Sequence, residues 1–472
     1  MEHKDTKIRR LYIEGICTLL FGVAVLLFFG WAYPQHLHYQ EQYQLFLFDS
    51  TYVWEIVKQP GGVADLLGRF CTQFFLYAWV GALIIALLLS SVQLLTLRLF
   101  NWGKLYGLSF VPSFLLWLFL LDENALLGGV WAVLLTQLCV TGMILMIQFL
   151  KRKMVSRSIY FMIIITMIVT IPILYWMVLG GSHYHRYPTV FPTLLYVAWL
   201  LAIVLPFVMR LFTNKATKFE RLLSFTSFVL VALVMGSLVW KNANFKAEKV
   251  MQYDFMARYQ QWNRILETIN TEKPNNQIGV TVQNLALAMH GMLLDHMFDY
   301  NQNGIAGLLP DVKEDATSPL PTAEAFYYLG MINVAQRTVF EAQEAILDFQ
   351  KSGRCYKRLA QTNLINGNYE VARKYLMTLQ KTLFYREWAN ETLSLLGNEE
   401  AIAKHPEYGH LRQMAYKDDF YFSDHVTPDM LKSLYFNNTD NRMAYQYLIA
   451  YFMLTGDREG YSKLLEEIGS KN

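Results

Sequence analysis

The stretch FCTQFFLYAWVGALIIALLLSSVQLLTL, residues 70–97, contains no charged residue. A helix that crosses a bilayer needs about 20 predominantly apolar residues, because its backbone polar groups find no partner in hydrocarbon. This stretch is long enough to cross. The whole chain of 472 residues is 54% hydrophobic and 17% charged, which is too apolar for an average soluble protein and too charged for one wholly inside lipid. The sequence therefore predicts a membrane part and an aqueous part.

Apolar runs of this kind recur through the first half of the chain. Seven candidates can be counted, at 11–33, 70–97, 105–121, 125–149, 158–180, 192–212 and 222–240. The third is short and is interrupted by Pro112, and without it the topology of everything downstream inverts. The first is longer than a typical signal-peptide core and lacks a small-x-small cleavage site, so we expect a retained helix. The sequence predicts seven membrane spans within residues 1–240.

Basic residues near the ends of these runs indicate the topology, because short cytoplasmic loops carry an excess of Lys and Arg. They cluster before the first run and between the second and third, the fourth and fifth, and the sixth and seventh. The members are Lys4, Lys7, Arg9, Arg10, Arg98, Lys104, Lys151, Arg152, Lys153, Arg157, Arg210, Lys215, Lys218 and Arg221. The alternate loops contain few. The pattern predicts a cytoplasmic N-terminus, with the C-terminal half outside the cytoplasm.

Residues 241–472 have helical spacing with polar faces. The segment YKRLAQTNLINGNYEVARKYLMTLQKT, residues 356–382, resembles a tetratricopeptide unit, in which a Gly-Asn turn joins two closely packed antiparallel helices. An imperfect second copy begins at Ala444 and turns at Gly456 and Asp457. The resemblance implies an α-solenoid with a concave face for a protein or glycan. An irregular helical bundle is the alternative. The predicted fold is thus all-α, a polytopic helical bundle followed by a TPR-like soluble domain.

Charge and cysteine content exclude some functions. The formal net charge is +3, so no concentrated basic face indicates a nucleic-acid partner. The four cysteines, Cys17, Cys71, Cys139 and Cys355, are not spaced for a disulfide framework or a zinc site. Membrane lipids are the partner that the composition itself implies.

The loop between the first two runs, residues 34–69, is the longest loop of the membrane half and is amphipathic. Such a segment is expected to lie in the membrane interface. Its start, HYQEQYQ at residues 38–44, resembles the motif His-Pro-Asp-Glu-x-Phe-Gln of several mannosyltransferases of the GT-C type. His38, Glu41 and Gln44 match the motif, whereas Tyr43 replaces Phe and Gln40 stands where the second acid would be.

GT-C glycosyltransferases share a core of seven helices, a long first outer loop and an acid at the outer end of the first helix. The resemblance covers the first 240 residues in architecture and seven in motif. The C-terminal half also resembles that of a family of bacterial envelope proteins with seven spans and a repeat domain, from which no activity carries over. These resemblances imply a bacterial inner-membrane protein with a periplasmic C-terminal domain.

Sugar transfer from a polyprenyl phosphate needs a base for the acceptor proton and donors for the charge left on the phosphate. Glu41 is the first candidate base and Asp49 the second, although Asp49 is also placed to face water. Arg69 and Arg186 are the basic residues of the outer side nearest to helix ends, and are the candidates to bind the phosphate. By the resemblance, His38 and Gln44 would contact substrate.

A divalent metal is a candidate cofactor. His183 and His185 in SHYHRYP, with His36, His38 and Glu41, would supply nitrogen and carboxylate ligands. Interfacial histidines with no metal are the alternative. We interpret the nearby acidic turn at Asp122 and Glu123 as structural.

Two functions of different classes follow. The first is a GT-C-like glycosyltransferase that passes a sugar from a polyprenyl-phosphate donor to a protein or envelope glycan held by the repeat domain. The second is a membrane-anchored scaffold, without catalysis, that assembles an envelope complex. Substitution of Glu41 discriminates between them. A transporter is disfavoured, since no acidic residue near a helix midpoint marks a substrate path.

Overall fold

The structure is a computed structural model of the chain, and it describes residues 2–99, 103–152, 176, 184–212, 220–311, 318–347, 350–416 and 427–471. Within these ranges the ordered elements are helices, and the extended backbone forms only two isolated bridges. The all-α prediction is confirmed to this extent. The chain divides into two compact units, Met1–Phe245 and Lys246–Asn472.

The first unit contains nine α-helices in its described part. They are α1 (Glu2–Leu27), α2 (Pro34–Glu41), α3 (Ser50–Val57), α4 (Gly62–Thr72), α5 (Ala78–Leu99), α6 (Val111–Phe119), α7 (Gly128–Arg152), α8 (Thr193–Phe212) and α9 (Glu220–Asn242). A π-helical turn, Phe28–Ala32, follows α1, and 3-10 segments at Gln73–Leu76 and Gly103–Phe110 precede α5 and α6.

Among the described residues, four helical segments are long and apolar enough to cross a membrane. They are Tyr12–Ala32, Ala78–Leu99, Gly128–Met146 and Phe225–Asn242, which fall in the first, second, fourth and seventh predicted spans. Tyr106–Phe119 and Thr193–Pro206, in the third and sixth, are apolar but shorter. The fifth, 158–180, lies outside the described residues except for Trp176.

Aromatic side chains join α1 to α6 in the core of this unit. The ring of Phe21 contacts that of Phe114 with centroids 5.0 Å apart, and Phe114 stacks on Trp117 at 5.8 Å. Phe28, in the π-helical turn, meets Trp117 at 5.4 Å. Since α6 ends at Phe119, these contacts also hold the loop that follows Phe119 close to the end of α1.

Buried amides connect the apolar helices through hydrogen bonds. Gln93 on α5 accepts from the Thr18 hydroxyl at 2.9 Å and donates to Ser109 at 3.1 Å. Gln137 on α7 donates to Thr96 at 2.7 Å. Polar contacts of this type link helices where packing in lipid has little hydrophobic driving force.

A pair of glycines allows α4 and α7 to pack with their backbones in close approach. A Cβ atom on Gly68 would lie 2.4 Å from the backbone nitrogen of Gly128 and 2.7 Å from its Cα. Backbone atoms cannot move aside as a flexible side chain can. This crossing places α4 beside the loop that begins α7.

We expect Gly68→Ala to destabilise the first unit by about 1–3 kcal/mol, because the new methyl group overlaps backbone atoms of α7. Thermal unfolding of the full chain in detergent measures the effect. Gly142→Ala is the matched control within α7, since a Cβ there meets nothing within 4 Å. Equal unfolding temperatures for the two variants would contradict the close crossing.

The second unit consists of short helices. They are α10 (Phe245–Arg258), whose first residue is assigned to the first unit, α11 (Trp262–Glu272), α12 (Gln277–Met289), α13 (Leu293–His296), α14 (Pro319–Leu329), α15 (Ile332–Glu344), α16 (Gly353–Ile365), α17 (Tyr369–Leu379), α18 (Arg386–Leu395), α19 (Glu399–Lys404), α20 (Tyr408–Met414), α21 (Thr427–Asn437), α22 (Arg442–Thr455) and α23 (Arg458–Lys471).

Several of these helices form antiparallel hairpins with glycine turns. Segment 356–382, singled out in the sequence, falls in α16 and α17, which are joined through Gly367 at φ +79°. Gly456, at φ +68°, joins α22 to α23 in the same way. Glycine adopts this left-handed conformation without the steric cost of a Cβ atom. Successive helices from α14 to α17 pack on one another, so the hairpins share one core.

Candidate functional site

The polar segment that follows α1 folds inward. The π-helical turn ends at Ala32, and α2 begins at Pro34, which suits a first helical position because it has no N–H to satisfy. The segment's buried polar side chains are His36, Gln40, Glu41, Gln42 and Gln44. Burial of polar groups is costly without hydrogen bonds. The geometry of this segment is therefore set by specific partners.

His36 fixes α2 to the loop after α6. Its Nε2 atom lies 2.9 Å from the carbonyl oxygen of Leu120, and its ring stacks on Tyr33 at 4.8 Å. Burial lowers the pKa of His36 to about 4, against smaller raising contributions from the Leu120 carbonyl and the charge of Asp122. The imidazole is therefore neutral at pH 7. Nε2 carries the proton, because a carbonyl oxygen can only accept.

The depressed pKa of His36 predicts a pH dependence of stability. The unfolded chain binds a proton near pH 6.5, whereas the folded chain does so only near pH 4, so stability falls as pH decreases through this window. We expect a loss of about 2 kcal/mol between pH 7 and pH 5. Comparison of thermal unfolding with His36→Gln, which keeps a donor but does not titrate, isolates this contribution. A parallel pH profile in that variant would contradict the assignment.

Gln40 ties α2 to the same loop. Its amide nitrogen donates to the carbonyl oxygens of Ala125 at 3.2 Å and Asp122 at 3.4 Å. An ionised acid at this position could not donate and would face two carbonyl oxygens. Position 40 therefore supplies a donor to these two carbonyl oxygens.

Asp122 and His185 are paired across the unit. The Asp122 Oδ2 atom lies 3.1 Å from His185 Nε2, and its Oδ1 accepts the amide of Asn124 at 2.8 Å. His185 Nδ1 accepts the amide of Tyr187 at 3.1 Å. The same nitrogen lies 3.0 Å from the Tyr187 carbonyl oxygen, so both ring nitrogens of His185 have polar partners. Asp122 belongs to the acidic turn that was interpreted from the sequence as structural, and here it binds the predicted site residue His185.

The loops that carry these two residues also pair through the backbone. Ala125 and His185 form an isolated antiparallel bridge, and the amide of Arg186 donates to the Asn124 carbonyl at 2.9 Å. Since α2 is bound to one of the loops by two side chains, three sequence-distant segments meet at this point.

Arg186 is a buried cation stacked on an aromatic ring. Its guanidinium carbon lies 3.6 Å from the centroid of Tyr43 and 5.6 Å from that of Tyr39, and the residue is only 8% exposed. Cation–π contact of this kind stabilises a desolvated guanidinium. Its Nε atom is buried and has no hydrogen-bond partner within the described part of the chain. A donor of this kind is suited to an anionic ligand.

Glu41 is the last residue of α2 and is 5% exposed. It lies two positions before Tyr43, whose ring carries the Arg186 guanidinium. The end of α2 therefore supplies a buried carboxyl group, and the loop at 184–188 supplies a buried guanidinium group. Of the predicted site residues, the structure places His185 and Arg186 on one loop, and the contacts of that loop add Asp122 and, through it, Gln40. Glu41 follows Gln40 on α2.

Arg69 and Asp49 serve local structure. Arg69 on α4 binds Asp65, one turn earlier, at 2.7 Å, and burial, which lowers its pKa, is outweighed by the raising effect of that carboxylate. Asp49 caps α3, its Oδ1 accepting the amides of Thr51 and Tyr52 at 3.1 Å. The described contacts do not join Arg69 to Glu41 or Arg186.

The remaining predicted residues have different positions. His38 lies on α2 and is half-buried. Gln44 is buried beyond the end of this helix, and its backbone N–H donates to the backbone carbonyl of Glu41 at 3.4 Å. His183, the other candidate metal ligand, lies outside the described residues. Among the residues that are described, no group of three His, Cys, Asp or Glu side chains is placed to hold a metal ion.

The chain belongs to a family of unknown function (DUF6057), which matches residues 9–183 and 178–471 and so spans both units. No curated protein and no solved structure matches the chain significantly.

Proposed function

We propose that the chain is a GT-C-like membrane glycosyltransferase that passes a sugar from a polyprenyl phosphate to a protein or an envelope glycan. The convergence of α2, the loop at 120–127 and the loop at 184–188 supports this proposal. The single observation that carries it is the burial of Glu41 two residues before Tyr43, the ring on which the buried Arg186 guanidinium lies. In the proposed site the carboxylate acts as the base and the guanidinium as the anion donor.

In the proposed reaction, the Glu41 carboxylate removes the proton of the acceptor hydroxyl as the oxygen attacks the anomeric carbon. The bond from that carbon to the phosphate oxygen breaks, and its electron pair leaves with the polyprenyl phosphate. Arg186 is placed to bind this phosphate, with its unpartnered Nε as one donor. Tyr43 and Tyr39 hold the guanidinium plane, so little reorganisation is needed when charge develops.

The proposed topology has seven spans, a cytoplasmic N-terminus and a periplasmic second unit in a bacterial inner membrane. Four span-length helices support it, together with the basic residues of alternate loops. In this arrangement the end of α2 lies at the outer surface, where a lipid-linked donor and an acceptor would meet. The second unit would be a TPR-like solenoid that holds the acceptor.

The scaffold is the second candidate function. The stacked hairpins from α14 to α17 favour it, because such arrays present extended binding surfaces without chemistry. In a scaffold the buried polar residues of α2 would only fix helix positions, as His36 and Gln40 do.

The glycan and glycoprotein profiles of cells lacking the gene test the proposal. We expect one glycan or glycoform to disappear, with its lipid-linked donor accumulating, and to return with the wild-type gene. If the profiles stay unchanged in a deletion strain that has another clear envelope defect, the enzyme proposal is wrong and the scaffold is favoured.

A further inference from the structure

One face of α16, in the second unit, is strongly basic. Arg354, Lys357, Arg358 and Gln361 stand at positions i, i+3, i+4 and i+7, so their side chains lie on the same side of the helix. Three of these four residues are cations. This face packs within the unit, and its contacts determine which of the charges are neutralised.

Arg354 is fully matched by acids. Its two terminal nitrogens bind the two carboxylate oxygens of Asp254 at 2.6 and 2.8 Å, and one of them also lies 3.4 Å from Glu324. Such a bidentate pair is among the strongest charge-assisted contacts in proteins. The charge of Arg354 is therefore compensated by carboxylates.

Arg358 is only partly matched. One nitrogen binds Glu324 at 2.5 Å, and the guanidinium lies 3.7 Å from the ring centroid of Tyr327. The hydroxyl of Tyr327 in turn donates to Glu407 at 2.6 Å. The other nitrogen, Nη1, is buried and lacks a hydrogen-bond partner in the part of the chain that the structure describes. A buried donor without an acceptor costs free energy that a ligand oxygen would recover.

Lys357 has no carboxylate partner in the described structure; its ammonium group lies 5.0 Å from the ring centroid of Trp388. Burial lowers the pKa of Lys357, and the neighbouring charges of Arg258 and Arg358 lower it further. The lysine is thus half-buried next to other cations. A bound anion would relieve both the desolvation and the repulsion.

Four cations lie close to one another in this region: Arg258, Arg354, Lys357 and Arg358, which we call the α16 basic cluster. Asp254 and Glu324 bind Arg354 and Arg358 directly, and Arg258 donates to the Tyr385 hydroxyl at 2.9 Å. Lys357 has no carboxylate partner within the described residues, and a charge partly removed from water is normally compensated.

We propose that the α16 basic cluster binds an oxyanion, the carboxylate or phosphate group of an anionic ligand. Lys357 supplies the uncompensated charge and Arg358 Nη1 a donor without an acceptor. Trp388 and Tyr385 lie beside the cations and offer ring surface to the body of the ligand. This site lies wholly within the second unit and holds whether the chain is an enzyme or a scaffold.

Site-resolved lysine labelling of the full chain in detergent tests the proposal. Trace acetylation at pH 8, read by mass spectrometry, reports the reactivity of Lys357 during titration with sodium phosphate or sodium acetate at constant ionic strength with chloride. We expect saturable protection of Lys357. Lys351, exposed just before the same helix, is the internal control and should be unaffected. Stronger protection by one anion identifies the preferred group.

Lys357→Gln is the matched variant for calorimetry of anion binding. Because Lys357 has no carboxylate partner among the described residues, its replacement leaves no acid unpaired, and the unit should fold. We expect about tenfold weaker binding of the preferred anion, with wild-type affinity in Lys351→Gln. Absence of saturable protection by either anion, or wild-type affinity in Lys357→Gln, overturns the proposal.

Discussion

Glu41→Gln is expected to reduce the transfer product by a factor of about 10²–10⁴ while the protein accumulates at its normal level. The amide keeps the size and polarity of the side chain but cannot take the acceptor proton. Deletion cells that carry the variant gene supply the measurement, with product glycan quantified by mass spectrometry and protein by immunoblot. A scaffold with the same substitution would keep its function.

The same chemical change on a solvated carboxylate is the control. Glu55 on α3 is exposed, so Glu55→Gln should leave product unchanged. The unfolding temperature of Glu41→Gln must also match that of the wild type, because Glu41 is buried and its replacement could act through stability. Full product from a folded Glu41→Gln protein would show that Glu41 is a structural acid and that the base lies elsewhere.

Apolar helices were largely predictable from the sequence because hydropathy is a local property, but the residues at which they end were not. The run at 70–97 was predicted as one span, whereas α5 begins at Ala78. Residues before it belong to the end of α4 and to a 3-10 turn, and Tyr77 is extended at φ −115° and ψ 99°. A change of chain direction between apolar residues leaves no trace in hydropathy.

The contacts of the candidate site likewise divide into local ones, which the sequence predicts, and long-range ones, which it does not. Asp49 before the helix start and the spacing of Asp65 and Arg69 are local signals for a cap and an ion pair, so those roles were predictable. The pairing of Asp122 with His185 joins residues far apart in the chain. It depends on how α6 and the loop at 184–188 pack, which spacing alone does not encode.

The buried ion pairs of the second unit make Glu324 the position of largest expected effect on stability. Its carboxylate is 4% exposed and contacts Arg358 at 2.5 Å and Arg354 at 3.4 Å. Glu324→Gln leaves Arg358 buried without the carboxylate that binds it directly. We expect a loss of about 3–5 kcal/mol in the opening free energy of the peptides in α14 and α16, measured by hydrogen–deuterium exchange of the full chain.

Glu400→Gln controls for the loss of an ion pair as such, because Glu400 binds Lys404 with side chains 78% and 74% exposed. An exposed pair of this kind contributes less than about 1 kcal/mol. Glu324→Gln also removes one negative charge that binds the α16 basic cluster. Phosphate should therefore stabilise this variant more than the wild type. Equal exchange in the two variants would mean that surrounding dipoles, rather than Glu324, compensate the buried guanidinium groups.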